Sequence, residues 1–285
     1  MIDLHLHSNA SDGSDDPADV VRLAAAAGVT TLALTDHDTT AGWAAAADAV
    51  PSGVRLVRGA EFSTEAPDGR GGRVPAHLLG YLFDPDHPAV LADQERLRGE
   101  RLRRIRVMTG RLRAAGYDID PEAIADRTGA PLGRPHVGQA LLDLGVVGSV
   151  GEAFRTFLAK DGPYYEPKAD TPIDEAIATI RAAGGVPVWA HPWARTRGDV
   201  IEESVIADLA GRGLAGIEVD HPDHTPADRE RLRGLAGELG LVVTGSSDYH
   251  GTRKEIPIAA ATTAPDQLEA LLDGATGAGV ITGGT

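Results

Sequence analysis

Residues 2–38, IDLHLHSNASDGSDDPADVVRLAAAAGVTTLALTDHD, decide the fold because they contain a complete strand–helix–strand unit. Residues 2–7 alternate between apolar and polar, which predicts a strand. Pro17 is typical of the first turn of a helix, and Gly28 is typical of the position just after its end. The run TTLALT then predicts a second, buried strand. A strand, a helix and a further strand in this order indicate an α/β fold.

Five further segments predict strands: RLVRGAE (55–61), PAHLLGYLF (75–83), GVPVWAH (185–191), GLAGIEVD (213–220) and LGLVVTGSSDYH (239–250). Helical patterns such as IDEAIATIRAAGG and IEESVIADLAGRG separate most of the later ones. Repeated strand–helix units imply a parallel sheet, and seven such strands favour a barrel. In parallel barrels the C-terminal ends of the strands carry the active site.

The stretch from about Pro88 to Lys168 interrupts this rhythm with helical patterns and no convincing strand. We therefore expect a helical insertion at 89–168 that divides the barrel into residues 1–88 and 169–285. A hydrophobic fraction of 42% over 285 residues is enough for a large core.

Composition excludes several classes of protein. Cysteine is absent, so disulfides, thiolate metal sites and cysteine nucleophiles are excluded. A formal net charge of −15 disfavours binding to duplex DNA, because phosphates are repelled at long range. No secretion signal or membrane-spanning apolar run is present, which predicts a cytoplasmic protein without a membrane partner.

Nine polar residues fall at or just after the ends of predicted strands, and they include six of the ten histidines. They are His5, His7, Asp12, His37, Glu61, His77, His191, Asp248 and His250. Any one of them alone is as well explained as a core histidine or a turn carboxylate. Nine together indicate a metal site, since burying so many titratable groups without a cation is costly. Imidazole and carboxylate ligands without sulfur favour manganese, iron or zinc.

The segments DLHLHSNASDG, LTDHDTT, GAEFS, AHLLGY, WAHP and SSDYHG resemble, in order, the motifs of the PHP (polymerase and histidinol phosphatase) superfamily. The resemblance covers nearly the whole chain and implies a distorted (β/α)₇ barrel that holds two or three divalent transition-metal ions. It implies three ligand sets: His5, His7, Glu61 and Asp248 for one ion; Glu61, His77 and His191 for a second; Asp12, His37 and His250 for a third.

Closely spaced metal ions suit the hydrolysis of phosphate esters, because they clamp phosphoryl oxygens and produce hydroxide at neutral pH. The expected reaction therefore needs no side-chain nucleophile. Asp36, Asp38 and Glu218 either orient the ligands or cap neighbouring elements, and both alternatives stay open. The roles of His221 and His224 also stay open at this point.

The predicted insertion is locally basic, with eight arginines against three acids between Ala89 and Gly116. One interpretation is a solvated helix with ion pairs along its surface. The other is a basic wall that binds a second phosphate or a nucleic-acid backbone.

The segments GRPH and AKDGPYYEPK resemble a PHP subfamily of nucleoside 3′,5′-bisphosphate phosphatases and 5′→3′ exoribonucleases. That resemblance implies that Arg134 and His136, with Lys160, bind substrate phosphate. Tyr164 is a further candidate, either stacking on a base or packing the insertion onto the barrel.

The sequence thus predicts a cytoplasmic metal-dependent phosphoesterase. Its expected substrates are the 3′-phosphate of small nucleoside bisphosphates or short 5′-phosphorylated single-stranded RNA. A histidinol-phosphate-type phosphatase and a non-catalytic PHP scaffold are the alternatives.

Overall fold

A computed structural model describes residues 1–126, 130–195 and 200–284. The strands within these ranges are β1 (Ile2–Leu6), β2 (Thr31–Leu34), β3 (Arg55–Pro67), β4 (Arg73–Tyr81), β5 (Thr171–Pro172), β6 (Val186–Trp189), β7 (Gly216–Asp220), β8 (Val242–Gly245) and β9 (Ile281–Thr282). The α-helices are α1 (Pro17–Ala26), α2 (Trp43–Asp48), α3 (Pro88–Ala114), α4 (Pro121–Asp126), α5 (Arg134–Asp143), α6 (Val150–Thr156), α7 (Ile173–Ala182), α8 (Glu203–Gly211), α9 (Pro226–Leu239) and α10 (Pro265–Asp273).

Seven strands form a continuous sheet in the order β1-β2-β3-β4-β6-β7-β8. Leu6 of β1 forms a bridge with Tyr249, which follows β8, so the two ends of the sheet meet in a nearly closed barrel. This arrangement confirms the predicted α/β barrel of seven strands. The short strands β5 and β9 both pair with β3 and lie outside the predicted set. Each has only two residues, which is too short to show an alternating pattern of apolar and polar residues.

The expectation of a wholly parallel sheet is wrong at β4, which is antiparallel to both β3 and β6. Only residues 68–72 connect β3 to β4, whereas a parallel pairing needs a crossover of roughly a dozen residues or more. His77 therefore lies within β4 rather than at its C-terminal end. Because β4 runs in the opposite direction, His77 still lies opposite Ser63, two residues after Glu61.

Local sequence signals explain how the first unit folds between β1 and β2. The Asp16 carboxylate accepts a hydrogen bond from the Ala18 N–H at 3.0 Å and caps α1, while Pro17 occupies its first turn. Gly28 has a φ of +83°, a conformation that glycine adopts without strain, and it turns the chain into β2. Both predicted ends of α1 are thus occupied by the expected residues.

The chain forms two compact units, Met1–Ala92 with Asp170–Thr285, and Asp93–Ala169. In the first unit, Leu4, Val57, Leu79 and Val188 come from four different strands and belong to one buried cluster. Such a cluster of side chains between strands is what fills the interior of a small barrel.

The unit Asp93–Ala169 has its own hydrophobic core. Ile105, Met108 and Leu112 follow one face of α3 at helical spacing and are fully buried. They pack in one cluster with Val137 and Leu141 of α5. A core of this kind is expected of a helical unit that folds around its own apolar stripe.

Most of the α3 arginines have local partners. Ion pairs within the helix join arginines to acids three positions earlier, namely Arg96 to Asp93, Arg98 to Glu95 and Arg103 to Glu100, each at 3.0 Å. Glu166 accepts from Arg103 and Arg111 at 2.8 Å, and its backbone oxygen accepts from Arg104 at 2.6 Å. These contacts favour the ion-pair interpretation of the basic helix over a basic wall.

None of the helices within the described ranges is long and apolar enough to cross a membrane.

Candidate metal centre

The histidines and carboxylates predicted as ligands converge on one point of the barrel, the carboxylate of Glu61 in β3. Its Oε2 atom lies 3.1 Å from His5 Nε2, 3.1 Å from His7 Nε2 and 3.2 Å from His37 Nδ1. Its Oε1 atom lies 2.8 Å from His77 Nδ1 and 3.0 Å from His191 Nε2. Five imidazoles from four different parts of the chain therefore surround one carboxylate that is 1% exposed.

Asp248 adds a second buried carboxylate. Its Oδ1 atom lies 3.5 Å from His5 Nε2 and 3.3 Å from His7 Nε2. Together with Glu61, these residues form one group whose ligand atoms all lie within 4.8 Å of one another. This group is the first of the three predicted ligand sets.

Asp12 brings a third carboxylate from the loop after β1. Its Oδ1 atom lies 3.3 Å from His250 Nε2, and its Oδ2 atom lies 3.8 Å from His37 Nε2. These three residues form a second group together with His7, which the predicted set did not include. Asp12 has a side chain that is 40% exposed, so this group lies toward solvent.

A third compact group consists of His37, Glu61 and His77. The predicted set contained His191 in place of His37. His191 nevertheless contacts the same Glu61 oxygen as His77, so both imidazoles remain candidates for an ion bridged by Glu61.

The donor atoms fit a bound cation. Several buried atoms of this cluster make no hydrogen bond to any described residue, among them His7 Nδ1, His37 Nδ1, His77 Nδ1 and Glu61 Oε2. Leaving such a group unsatisfied costs about 1–3 kcal/mol each, so a structural role alone would be expensive. A cation satisfies lone pairs that face one another, and these residues therefore suit divalent metal ions.

Oxygen acceptors fix the ring orientation of two imidazoles. His5 Nδ1 lies 3.1 Å from Glu218 Oε1, and His250 Nδ1 lies 2.8 Å from the backbone oxygen of Asp248. An oxygen acceptor requires the neutral ring to carry its proton on Nδ1, so Nε2 presents a lone pair. This pattern is typical of metal-ligating histidines.

The charges of the cluster are strongly coupled. Burial works to raise the pKa of Glu61, but electrostatic interactions with His77, His37 and His5 outweigh it and hold that pKa well below its usual range. Burial lowers the pKa of His37 to about 3, and it also lowers the pKa of His250. Ionised carboxylates beside neutral imidazoles are the protonation state that binds metal.

The pKa values of two other imidazoles shift in the opposite direction. Burial alone would lower the pKa of His5, but Glu61, Glu218 and Asp248 raise it well above its usual value. His7 behaves similarly, because the adjacent carboxylates of Asp248 and Glu61 raise its pKa to about 9 against the effect of burial. The cluster thus holds excess negative charge, which a proton or a metal ion compensates.

Three aspartates outside the ligand sets hold neighbouring segments in place by the same contact. Each carboxylate accepts from both the backbone N–H and the hydroxyl of one serine: Asp36 from Ser8 at 2.8 and 2.7 Å, Asp38 from Ser63 at 2.6 and 2.8 Å, and Asp3 from Ser247 at 3.1 and 2.6 Å. The serines lie one or two residues from His7, Glu61 and Asp248. These contacts identify Asp36 and Asp38 as orienting residues, an alternative that the sequence left open.

Asp3 is an orienting residue that the sequence analysis missed. Its signal was its period-two spacing with His5 and His7 in the first strand. Burial raises its pKa to about 6, against the hydrogen bonds from Ser247 and from the Ala259 N–H that lower it.

Glu218 and the two unassigned histidines also have definite contacts. Glu218 Oε2 accepts from the His191 N–H at 3.0 Å, while its Oε1 orients His5. His221 Nδ1 accepts from the Asp223 N–H at 3.0 Å, which directs its Nε2–H toward Asp248 Oδ2 at 3.4 Å. His221 is therefore a contact of a candidate ligand.

His224 has a structural role. Its Nδ1 lies 2.9 Å from the Val219 backbone oxygen, and its Nε2 accepts from the Trp193 N–H at 3.2 Å. Both ring nitrogens are thereby used to hold backbone segments, and the pKa of this histidine is lowered by burial. A sequence period could not distinguish it from His221.

Two of the predicted substrate-binding residues lie at the start of α5. Arg134 Nη1 donates to the Leu158 backbone oxygen at 3.2 Å, and its guanidinium lies 5.0 Å from the Phe154 ring. His136 Nδ1 accepts from the Gly133 N–H at 3.0 Å and closes the first turn of the helix. Neither contact tests phosphate binding, so this assignment stays a prediction.

The other two predicted substrate-binding residues differ in exposure. Lys160 is exposed to solvent. Tyr164 is half-buried, and its ring lies 5.9 Å from that of Phe157 within the core cluster of its unit. The structure therefore gives Tyr164 a packing role within its own unit.

An open cavity of about 420 Å³ borders the candidate metal centre within the barrel unit. Asp12, His37, His77, Asp248 and His250 line it, so the ligand groups are accessible to a small molecule. Lys254 also lines it, and its Nζ lies 2.7 Å from Asp248 Oδ2. This lysine was not among the predicted site residues.

Comparison with known proteins places this geometry in a family. The model of the PHP domain matches residues 3–103. The chain is 35% identical to a 3′,5′-nucleoside bisphosphate phosphatase of Chromobacterium violaceum, with 87% of each chain covered. It is 37% identical to a phosphoribosyl 1,2-cyclic phosphate 1,2-diphosphodiesterase of Eggerthella lenta, covering 90% of this chain and 96% of that one.

Two further relatives agree with this placement. A 5′-3′ exoribonuclease of Haemophilus influenzae is 36% identical, covering 87% of this chain and 89% of that one. The crystal structure of a predicted metal-dependent phosphoesterase from Bifidobacterium adolescentis superposes with a TM-score of 0.86 at 32% identity, covering 96% of each chain. The strand order and the cluster around Glu61 agree with these similarities. The chain therefore belongs to the PHP family of metal-dependent phosphoesterases.

Proposed function

We propose that this protein is a hydrolase that removes the 3′-phosphate from nucleoside 3′,5′-bisphosphates. The observation that carries the proposal is the buried Glu61 carboxylate with five imidazole nitrogens within 3.2 Å. The named activity of the Chromobacterium relative supports the choice of substrate.

Each ligand group has a distinct composition. His5, His7, Glu61 and Asp248 would hold one ion with two imidazoles and two carboxylates. His77 and His191, sharing Glu61, would hold a second ion. Asp12, His37 and His250, with His7 at the edge of the group, would hold a third.

Manganese, iron and zinc all suit these sulfur-free ligands. Divalent ions bound here would polarise phosphoryl oxygens and lower the pKa of water. The protein's own contribution is to hold the ligand atoms in fixed orientations and to expose them to the cavity. The Asp–Ser contacts of Asp36, Asp38 and Asp3 supply that rigidity.

A second candidate reaction is the release of nucleotides from the 5′ end of short 5′-phosphorylated RNA. The named activity of the Haemophilus relative favours it. The Eggerthella relative is also named for a phosphodiester substrate, so both monoesters and diesters are hydrolysed within this set of relatives. The named activities of these relatives support catalysis rather than a non-catalytic scaffold.

We further propose that the unit Asp93–Ala169 is the substrate-recognition subdomain. Arg134, His136, Lys160 and Tyr164 would bind the phosphate that is not cleaved, or the base. The support is chemical, because a guanidinium, an imidazole and an ammonium all recognise phosphate.

The experiment that tests the proposal is phosphate release from adenosine 3′,5′-bisphosphate by Mn²⁺-loaded protein. Histidinol phosphate and a short 5′-phosphorylated RNA are assayed in parallel. His250→Ala should abolish turnover, whereas His87→Ala, the same substitution outside the ligand groups, should leave it unchanged. Preference for histidinol phosphate, or metal binding without turnover on any of the three substrates, would contradict the proposal.

A further inference from the structure

Lys254 is a cationic side chain at the cavity whose role is not accounted for by the ligand groups. It follows the short 3₁₀ helix Gly251–Arg253, and its side chain is 31% exposed. Its Nζ donates to Asp248 Oδ2 at 2.7 Å. The lysine therefore combines access to solvent with contact to a candidate metal ligand.

The two oxygens of Asp248 face different partners. Oδ1 lies 3.5 Å from His5 Nε2 and 3.3 Å from His7 Nε2, within the first ligand group. Oδ2 accepts from Lys254 and lies 3.4 Å from His221 Nε2. Because the contacts are divided in this way, a cation held through Oδ1 leaves the ammonium group beside the same carboxylate.

The charge along the cavity is otherwise negative or neutral. Asp12, Asp223 and Asp248 contribute carboxylates, and three histidines contribute imidazoles. Among the described residues that line the cavity, Lys254 is the one lysine or arginine. A cation bound to Asp248 offsets the negative charge that attracts the ammonium group of Lys254. The ammonium group is then more strongly attracted to another anion in the cavity.

We propose that Lys254 binds a terminal oxygen of the reacting phosphate and thereby favours phosphomonoesters over phosphodiesters. A monoester carries about −1.5 to −2 charge at pH 7, whereas a diester carries a single charge and has one fewer terminal oxygen. The additional charged oxygen of the monoester is the group that an ammonium recognises. This inference rests on the proposed phosphoesterase activity and narrows its substrate class.

The test compares Lys254→Met with Lys254→Arg and with the control Arg253→Met. Arg253 is exposed and is not part of the cavity lining, so its substitution removes the same charge one residue away. The substrates are p-nitrophenyl phosphate and bis(p-nitrophenyl) phosphate, which share a leaving group and differ in charge. Binding of inorganic phosphate to the metal-loaded proteins is measured by calorimetry, and metal content is measured by elemental analysis.

Loss of one charge-assisted hydrogen bond predicts that Lys254→Met lowers kcat/KM for the monoester by about 10- to 100-fold. The diester should change by less than about threefold, and phosphate affinity should fall in parallel with monoester activity. Metal content should stay at the wild-type level, Lys254→Arg should restore part of the preference, and Arg253→Met should resemble wild type.

Equal losses on both substrates, or unchanged phosphate affinity in Lys254→Met, would overturn the inference. Loss of metal from that variant would also overturn it, because the lysine would then support Asp248 alone. If wild-type protein hydrolyses neither ester, the proposed function fails. The calorimetric comparison still decides the role of Lys254 in that case, since it needs no turnover.

Discussion

Replacing Glu61 by glutamine should remove at least one metal ion from the barrel. The substitution keeps the shape of the side chain and eliminates the one carboxylate that belongs to two ligand groups. All five imidazole contacts at 2.8–3.2 Å are made to its two oxygens. An amide nitrogen in place of one oxygen presents hydrogens, rather than a lone pair, to at least some of these rings.

The magnitude follows from two separate losses. Breaking a buried charge pair by removing one partner typically costs about 3–5 kcal/mol, which should appear as lower stability of the metal-free variant. Metal at 100 times its dissociation constant adds about 2.7 kcal/mol to the stability of a protein that binds it only when folded. For a chain of this size that corresponds to a rise in Tm of about 4–5 °C.

The assay is thermal unfolding of wild type and variant with and without Mn²⁺, together with the metal content of the purified proteins. Wild type should show the Mn²⁺-dependent rise in Tm, and Glu61→Gln should lose most of it along with at least one ion. The control is Glu65→Gln on the same strand, since Glu65 forms only a half-exposed ion pair with Arg73 at 2.7 Å. If Glu61→Gln kept the full ion content and the full rise in Tm, the reasoning that this carboxylate bridges the groups would be refuted.

Three further changes have defined outcomes. Asp36→Asn should loosen the loop that carries Asp12 and weaken the binding of the most exposed ion about 10-fold. A metal titration measures this effect, and unchanged affinity for every ion would contradict the prediction. Arg134→Ala should raise KM for adenosine 3′,5′-bisphosphate about 10-fold with little change in kcat, and an unchanged KM would remove Arg134 from the substrate site. Asp228→Asn should destabilise the protein by about 1 kcal/mol at pH 7, because Asp228 accepts from the Thr225 hydroxyl at 2.6 Å in the capping box of α9. Hydrogen bonds from an arginine and from Thr225 hold the pKa of Asp228 below its usual 3.8, so the ionised carboxylate stabilises the fold above that value. The difference between wild type and this variant in denaturant unfolding should therefore shrink as pH falls below about 4, and a difference that grows with acid would contradict the assignment.

The sequence predicted those elements whose signals are local. The seven barrel strands and both ends of α1 were readable because alternation, caps and turn residues act over a few positions. The connection between β3 and β4 was not readable in this way, because the predicted strands left residues 62–74 between them, enough for a crossover; the structure extends both strands and leaves only residues 68–72. Such a short connection permits only the antiparallel hairpin that the structure contains.

The candidate ligands could be selected from the sequence because their residue types and strand-end positions are unusual together. The sequence could not predict which of these ligands group together, and His37 illustrates why. Its two ring nitrogens face different carboxylates, Nδ1 toward Glu61 and Nε2 toward Asp12. Sequence spacing places His37 at the end of a strand, but only the packing of strands decides which carboxylates its nitrogens meet.

The contacts that orient the candidate ligands were likewise not predictable from the sequence. Asp3 and Ser247 are 244 residues apart, yet the carboxylate of one accepts both hydrogen bonds from the other. His221 and His224 lie in one short loop, and only their partners distinguish a contact of Asp248 from a residue that holds the backbone. The sequence by itself determined the barrel, the family and the set of candidate metal ligands. Tertiary structure alone decided the direction of β4, the contacts of Glu166 with the α3 arginines and the position of Lys254, because contacts between distant residues leave no period in the sequence.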